Sequence, residues 1–309
     1  MQIEQELAGV TPRGETLLTI GVFDGVHAGH RYLLKRLRER AAERNLLSGV
    51  VTFNPHPQSV LHPDRQLPWL TSLEDRVETF QMLGVRLVAV LTFTPKLAQL
   101  SAREFISLIK KHLTMRGILV GPDFALGKGK EGNIKHLHAL GREMGFSVDS
   151  IPPFKISGEI VSSTLIRRLL AIGDMRKVTK LMGRCFYLEG KIITSEKRGR
   201  VLGFPTANLD LKPQQALPGN GIYATIAHVQ GKHIHSATNV GIRPTFGTGE
   251  EIVETHLLNY KGNLYGKDIR VEFVQKVRDE KRFPSSEALR TQIEKDVREV
   301  GAILAKGLK

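Results

Sequence analysis

Two histidines, His27 and His30, stand three positions apart in the run Gly21-Val-Phe-Asp-Gly-Val-His-Ala-Gly-His30. At helical spacing they share one face of a first turn and can reach the same anion. Gly25 and Gly29 remove the side chains that would block its approach. If a strand precedes the run and a helix follows, backbone N–H groups and the positive helix end face a phosphate there. The imidazoles could then stabilise charge on a nucleotide as pyrophosphate leaves. The plainer reading, one histidine capping a helix and the other packing, leaves the surrounding glycines without a purpose. A second, unrelated run, Gly199-Arg-Val-Leu-Gly-Phe-Pro-Thr-Ala-Asn-Leu209, also brings a glycine-rich approach to a polar pair, and it lies well past the middle of the chain. One polypeptide therefore carries two phosphate-handling signatures.

The elements that must position them follow from pattern. Residues 17–23 read as a short apolar strand, and the helix after the glycine turn carries Leu33, Leu34, Leu37 and Ala41 on one face. Strands at 49–53, 87–93, 117–120 and 148–151 alternate with helices over 73–83, 102–113 and a stretch carrying Ile134, Leu137, Leu140 and Met144 that Gly145 ends. That rhythm predicts an α/β domain with a parallel sheet and crossover helices. Ser162 or Ser163 caps a helix to Leu170, and Gly173-Asp174 with a short helix to Gly183 reads as a connector. Beyond Gly183 the period falls from 3.6 to 2. Strands at 186–194, 221–229, 233–240, 252–258 and 269–277 predict a small antiparallel β-barrel. A closing helix enters through Pro284-Ser285-Ser286-Glu287 and carries Leu289, Ile293, Val297, Val300 and Leu304. Two domains are expected, 1–183 and 184–309.

Composition agrees with two ordinary cores, since 309 residues with 41% hydrophobic content exceed the usual single domain. The net charge of +14 is spread: 25 Lys and Arg face 17 Asp and Glu through Gly183, and 20 face 14 beyond it. Both halves suit anionic ligands, and charge alone does not separate nucleotides from nucleic acid. The single cysteine, Cys185, excludes an intrachain disulfide and a multi-cysteine metal site, which fits a reducing cytoplasm. The first ten residues lack a signal-peptide pattern, and no apolar run reaches membrane-spanning length. A cytoplasmic protein without membrane attachment is the expectation.

His27-Ala-Gly-His30 in its strand–turn–helix setting resembles the nucleotidylyltransferase superfamily. Ser162-Ser-Thr-Leu-Ile-Arg167 resembles that superfamily's second signature, a helix start that binds the triphosphate. Ser162, Ser163 and Thr164 offer hydroxyls and N–H groups, and Arg167 offers a planar fork for phosphate oxygens. Phe53-Asn-Pro-His-Pro57 and Val120-Gly-Pro-Asp-Phe-Ala-Leu-Gly127 resemble segments lining the ATP and flavin pockets of prokaryotic FAD synthetase modules. The resemblance assigns Gly21, Phe23, Asp24, Gly25, Gly29, Asn54, His56, Asp123 and Phe124 to ligand binding, with His27 and His30 catalytic. Asn54 stands where relatives more often carry an acidic residue.

The later run, 199–209, resembles the riboflavin kinase domain. In that family the Thr and Asn of Pro-Thr-Ala-Asn hold Mg²⁺ and ATP phosphates, here Thr206 and Asn208. Neutral oxygens suit hard Mg²⁺ when the nucleotide supplies the negative charge. Four further segments, 217–223, 239–246, 253–256 and 264–267, follow the family in order, as does 277–283, which lies near the flavin in relatives. Glu254 maps to the catalytic base. Gly199, Arg200, Gly203, Pro205, Arg243 and Arg278 complete the implied ligand set. Ser195 replaces a usual glycine in the preceding loop.

Together these features resemble the prokaryotic bifunctional riboflavin kinase and FAD synthetase family. The resemblance implies that riboflavin is phosphorylated by ATP to FMN and that a second ATP adenylylates FMN to FAD, with Mg²⁺ as cofactor. Two alternatives stay open at this point: only one half is active, or the same scaffold serves a basic RNA-binding or regulatory protein. Even charge and the lack of an RNA-binding signature make nucleic acid an unexpected partner. The oligomeric state is not legible.

Overall fold

The computed structural model describes residues 2–64, 67–193, 203–243 and 250–307, and of Arg243 and Glu250 the backbone only. The chain divides into two compact units, Met1–Ser163 and Thr164–Lys309.

The first unit runs α1 (Gln2–Ala8), β1 (Thr16–Ile20), α2 (Ala28–Glu43), β2 (Leu47–Asn54), α3 (Pro57–Leu61), α4 (Leu73–Met82), β3 (Leu87–Thr92), α5 (Pro95–Ala98), α6 (Ala102–His112) and β4 (Met115–Val120). The hairpin β5 (Ala125–Leu126) and β6 (Gly132–Asn133) follows, then α7 (Ile134–Met144), β7 (Ser147–Ser150) and the hairpin β8 (Lys155–Ile156) and β9 (Glu159–Ile160). The sheet order is β3-β2-β1-β4-β7, and every pair is parallel.

Helices cover both faces, which explains why β1 is buried along its whole length. Leu17 points into a core with Leu34 and Leu37 of α2 and Phe80 of α4. Leu18, one residue on, points into the opposite core with Ile106 and Ile109 of α6 and Leu137 of α7. Gly145, at φ +69°, closes α7 as expected. Helix α1 escaped the sequence reading because it offers only Ile3 and Leu7 to a core. It lies against the edge strand β3, where Glu6 accepts a hydrogen bond from the Thr92 N–H at 2.9 Å. The central strand β1 has β2 on one side and β4 on the other, so the chain changes direction at its carboxyl end. In open parallel sheets that switch point is where ligands bind.

Helix α8 (Ser163–Ile172) crosses the division between the units, and α9 (Met175–Met182) follows, capped by Asp174 and ended by Gly183 at φ +71°. The short helix expected in the connector is present and amphipathic. It buries Met175, Val178, Leu181 and Met182 and packs on the barrel. The barrel strands are β10 (Phe186–Ile193), β11 (Ala207–Leu209), β12 (Gly221–Val229), β13 (Lys232–Arg243), β14 (Glu250–Leu257) and β15 (Asp268–Arg278), closed in the order β10-β11-β14-β13-β12-β15. Helix α10 (Ser286–Ala305) is capped by Ser285, and its Val300 and Leu304 pack over Ala224 and Ala237 on the outside of the barrel.

Strand alternation decides which residues face out of the barrel. On β14, Val253, Thr255 and Leu257 are buried inside, so Glu254 points outward. The interior also holds Thr225, Ser236, Thr238 and Thr255, whose hydroxyls bond one another at 2.7–2.8 Å. Satisfied in this way, they are tolerated in a core.

Candidate active sites

The loop from β1 to α2 is held in an uncommon backbone path. Phe23, Gly25 and Val26 have φ of +57°, +83° and +35°. The loop is fixed by its neighbours. Both carboxylate oxygens of the buried Asp24 accept from the Leu70 N–H at 3.0 Å, and one accepts from the Thr71 N–H at 3.1 Å. The Gly25 N–H donates to Thr71 Oγ1 at 2.9 Å, and Ser163 Oγ donates to the Asp24 carbonyl at 2.9 Å. A Cβ on Gly25 would meet Leu70 Cδ1 at 3.0 Å, and one on Gly29 would meet the His27 ring at 3.2 Å. Gly21 is equally close to the ring of Phe23.

His27 is the cap of α2 rather than a residue of its first turn, since the helix starts at Ala28. Its Nδ1 accepts from the His30 N–H at 3.3 Å, so the neutral ring carries its proton on Nε2. The two rings stack at 3.6 Å and 15°, and Phe23 packs edge-on to His30 at 5.2 Å. Burial, first, and then the neighbouring His27 and Arg76 push His30 well below its usual imidazole range. Its Nδ1 is shielded and has no partner among the described residues.

Arg76 of α4 was missed in the sequence. It is buried, donates from Nη1 to the Val22 carbonyl at 2.6 Å, and its own pKa is lowered by burial. It supplies positive charge beneath the β1–α2 loop, and Thr71 and Leu70 brace that loop. The only signal for any of them was the Thr71-Ser72 start of a helix, because their partners lie about fifty residues away in the chain.

Of the other residues expected here, His56 caps α3 by accepting from the Gln58 N–H at 3.1 Å, and Asn54 ends β2 exposed. Asp123 is exposed, and Phe124 is half-buried against the core on the α6 side of the sheet. Ser162 and Ser163 belong to the first unit; Thr164, exposed, and Arg167, half-buried, fall in the second.

In the barrel, β11 places Asn208 directly opposite Glu254 of β14, and β13 places Asn239 on its other side. Opposed residues share a face, so the three side chains form a row on the outer surface. Asn208 is 6% exposed, while Glu254 and Thr206 are half-buried. Thr206 stands two residues before Asn208, at the entry to β11. Their oxygens, beside a carboxylate, are a donor set that fits a hard divalent cation sharing a nucleotide's phosphates.

His256, two residues after Glu254, was not singled out in the sequence. Its Nδ1 donates to the Pro205 carbonyl at 2.8 Å, and its ring meets Phe204 edge-on at 5.6 Å. It pins the turn that carries Thr206. Beside that turn lies a cleft of about 580 Å³ walled by Ile192, Pro205, Thr206, Leu257, Tyr260 and Tyr265.

Gly203, at φ +89°, opens the described part of the turn, whereas Gly199, Arg200 and Ser195 lie outside the described residues. Arg243 ends β13. Arg278 is engaged elsewhere: it forms a bidentate pair with the buried Asp296 of α10 at 2.9 and 2.7 Å, and Nη1 donates to the Asp279 carbonyl. Its first task is to anchor the terminal helix.

Comparison with known proteins agrees with this division. Residues 11–165 match the family model described as FAD synthetase, and residues 182–304 match the one described as riboflavin kinase. The bifunctional riboflavin kinase/FMN adenylyltransferase of Escherichia coli strain K12 is 37% identical over 287 residues, covering 92% of this chain and 91% of its own. The enzyme of that description from Pseudomonas fluorescens is 38% identical over 309 residues, covering 99% and 98%. A crystal structure of a protein described as a macrolide-efflux protein from Streptococcus pneumoniae superposes with a TM-score of 0.89 at 25% identity, covering 97% of each chain. Among the described residues no helix is long and apolar enough to cross a membrane. With two family models in this order and relatives alike over nearly its full length, the chain belongs to the bifunctional riboflavin kinase/FMN adenylyltransferase family.

Proposed function

We propose that the barrel phosphorylates riboflavin to FMN and that the α/β unit adenylylates FMN to FAD, each reaction consuming one ATP. The observation that carries this reading is the register that sets Glu254 beside Asn208, in a unit separate from the His27–His30 loop. In the first reaction the Glu254 carboxylate takes the proton of the ribityl 5′-hydroxyl as that oxygen attacks the γ-phosphorus and ADP leaves. Thr206 and Asn208 hold Mg²⁺, which when bound offsets phosphate charge. The turn pinned by His256 keeps those two residues in place.

In the second reaction an FMN phosphate oxygen attacks the α-phosphorus of ATP, and pyrophosphate leaves. His27 Nε2–H and His30 stabilise the charge that develops there, with the rigid loop of Gly21, Phe23, Asp24, Gly25 and Gly29 setting their place. Asn54, His56, Asp123 and Phe124 line the adenylylation pocket, and Ser162, Ser163, Thr164 and Arg167 take the triphosphate. Because that signature serves adenylyl transfer, the functional division falls at 1–183 and 184–309, although α8 and α9 pack with the barrel. Gly199, Arg200, Gly203, Pro205 and Arg243 complete the kinase pocket, with Arg278, committed to Asp296 and the Asp279 carbonyl, at its border. The expected location is the cytoplasm.

The test is product analysis of the purified protein supplied with riboflavin, ATP and Mg²⁺. FMN with ADP, then FAD with pyrophosphate, is the expected sequence. If supplied FMN gives no FAD while riboflavin still yields ADP, the adenylyltransferase assignment fails.

A further inference from the structure

Asn239 has no role in either reaction as described so far. Its position is informative. The strand order β11-β14-β13 sets Asn208, Glu254 and Asn239 side by side, with Glu254 between the two amides. Neighbouring strands lie about 4.8 Å apart, so each amide is one strand spacing from the base. Asn239 Oδ1 is shielded from solvent and accepts no hydrogen bond among the described residues. The hydroxyls inside the same barrel, those of Thr225, Ser236, Thr238 and Thr255, are all paired. A buried acceptor left without a donor is destabilising, and one kept beside a catalytic carboxylate points to a donor brought by a ligand.

The row itself indicates which ligand. Phosphoryl transfer runs in line, with the nucleotide on one side of the attacking oxygen and the body of the alcohol on the other. Asn208 lies on the phosphate side of Glu254, so Asn239 lies on the alcohol side. Beyond Asn239 the next residue across the sheet is Ile222, half-buried and apolar. A chain of hydroxyls ending in an apolar ring matches that order.

We propose that Asn239 Oδ1 accepts a hydrogen bond from a ribityl hydroxyl other than the one phosphorylated, so that Asn239 selects polyhydroxylated flavins. The inference rests on the kinase reading above. Its probe is a flavin carrying a 5-hydroxypentyl chain, which keeps the terminal nucleophile and lacks the inner hydroxyls. The full-length native protein is expected to favour riboflavin over this analogue in kcat/KM. In Asn239→Ala that preference falls about tenfold, because riboflavin loses its partner and the analogue loses nothing. Turnover of the analogue also shows that the variant barrel is folded. Equal loss for both flavins would mark Asn239 as merely structural and overturn the proposal, as would an unchanged preference. Should Asn239→Ala fail to fold, Asn239→Asp retains an acceptor oxygen and is expected to retain the preference; its disappearance there would equally overturn the proposal. A native protein that phosphorylates neither flavin would instead remove the kinase assignment, and this inference with it.

Discussion

His30 and Glu254 show how differently the two units set up a polar group. His30 is shielded, stacked on His27 and repelled by Arg76, so it stays neutral well below its usual 6.5. Folding therefore suppresses proton binding there. Above 6.5 both folded and unfolded chains leave this imidazole neutral, and it adds no pH dependence. Below 6.5 the unfolded chain binds a proton that the folded chain refuses, so stability falls as pH drops through that value toward the folded pKa. Thermal melts from pH 7.5 to 5 should show this loss, and His30→Gln should flatten it; parallel curves would place the acid sensitivity elsewhere. Chemistry separates the two residues as well. Glu254→Gln should abolish FMN formation while FAD formation from supplied FMN persists, and His30→Ala should do the reverse, each read from product ratios. His27 and His30 were singled out from spacing, because His27-Ala-Gly-His30 is contiguous, whereas Thr206, Asn208 and Glu254 came from the resemblance to the riboflavin kinase domain. Arg76, Thr71 and His256 were not legible, since each acts on a segment about fifty residues away and no local pattern records such a contact.

At the scale of elements, what matters is how a loop or helix is fastened. The β1–α2 loop depends on Gly25, whose φ of +83° and close approach to Leu70 leave no room for a side chain. Gly25→Ala is expected to cost about 1–3 kcal/mol, observed as a lower melting temperature together with weaker FAD synthesis. Helix α10 depends on Arg278 and Asp296, which are 15% and 5% exposed at their side chains and also engage Gln292. Asp296→Ala strands a largely buried guanidinium, and a loss of about 3 kcal/mol is expected by denaturant unfolding. Replacing both partners with apolar residues should recover much of it; no recovery would mean that the ion pair is not what docks the helix. Long periodic elements such as α2, α6 and β12 were readable, since core burial imposes their period on the sequence. The three-residue β11 was hidden inside the Thr206–Asn208 signature, being too short for any period. The short helix α9 was legible, but which core it joins was not, because that depends on where the barrel strands lie in space.

The molecule as a whole combines a parallel α/β sheet, with the His27–His30 loop at its switch point, and a closed antiparallel barrel with the row of Asn208, Glu254 and Asn239 on its outer face. The two architectures place their reactive groups by different means. The first fixes a loop at the end of strands and at a helix start, where in the function proposed above a phosphate is met. The second uses cross-strand register, which sets carboxylate and amide side chains at fixed spacing without any loop. In the chemistry proposed the kinase reaction uses no residue of the first unit, and the adenylylation takes only Thr164 and Arg167 of α8 from the second, so disabling Glu254 or His30 should leave the other reaction working. Mixing Glu254→Gln protein with His30→Ala protein tests this directly. Alone, the first variant makes no FMN from riboflavin, and the second makes FMN but no FAD. Together, with riboflavin and ATP, they should form FAD at a rate that rises with the concentration of each, because FMN released from one barrel reaches the other variant's intact adenylylation loop through solution. If the mixture forms no FAD although each variant retains its single activity, FMN must pass between the two sites of one chain, and the independence of the units must be abandoned.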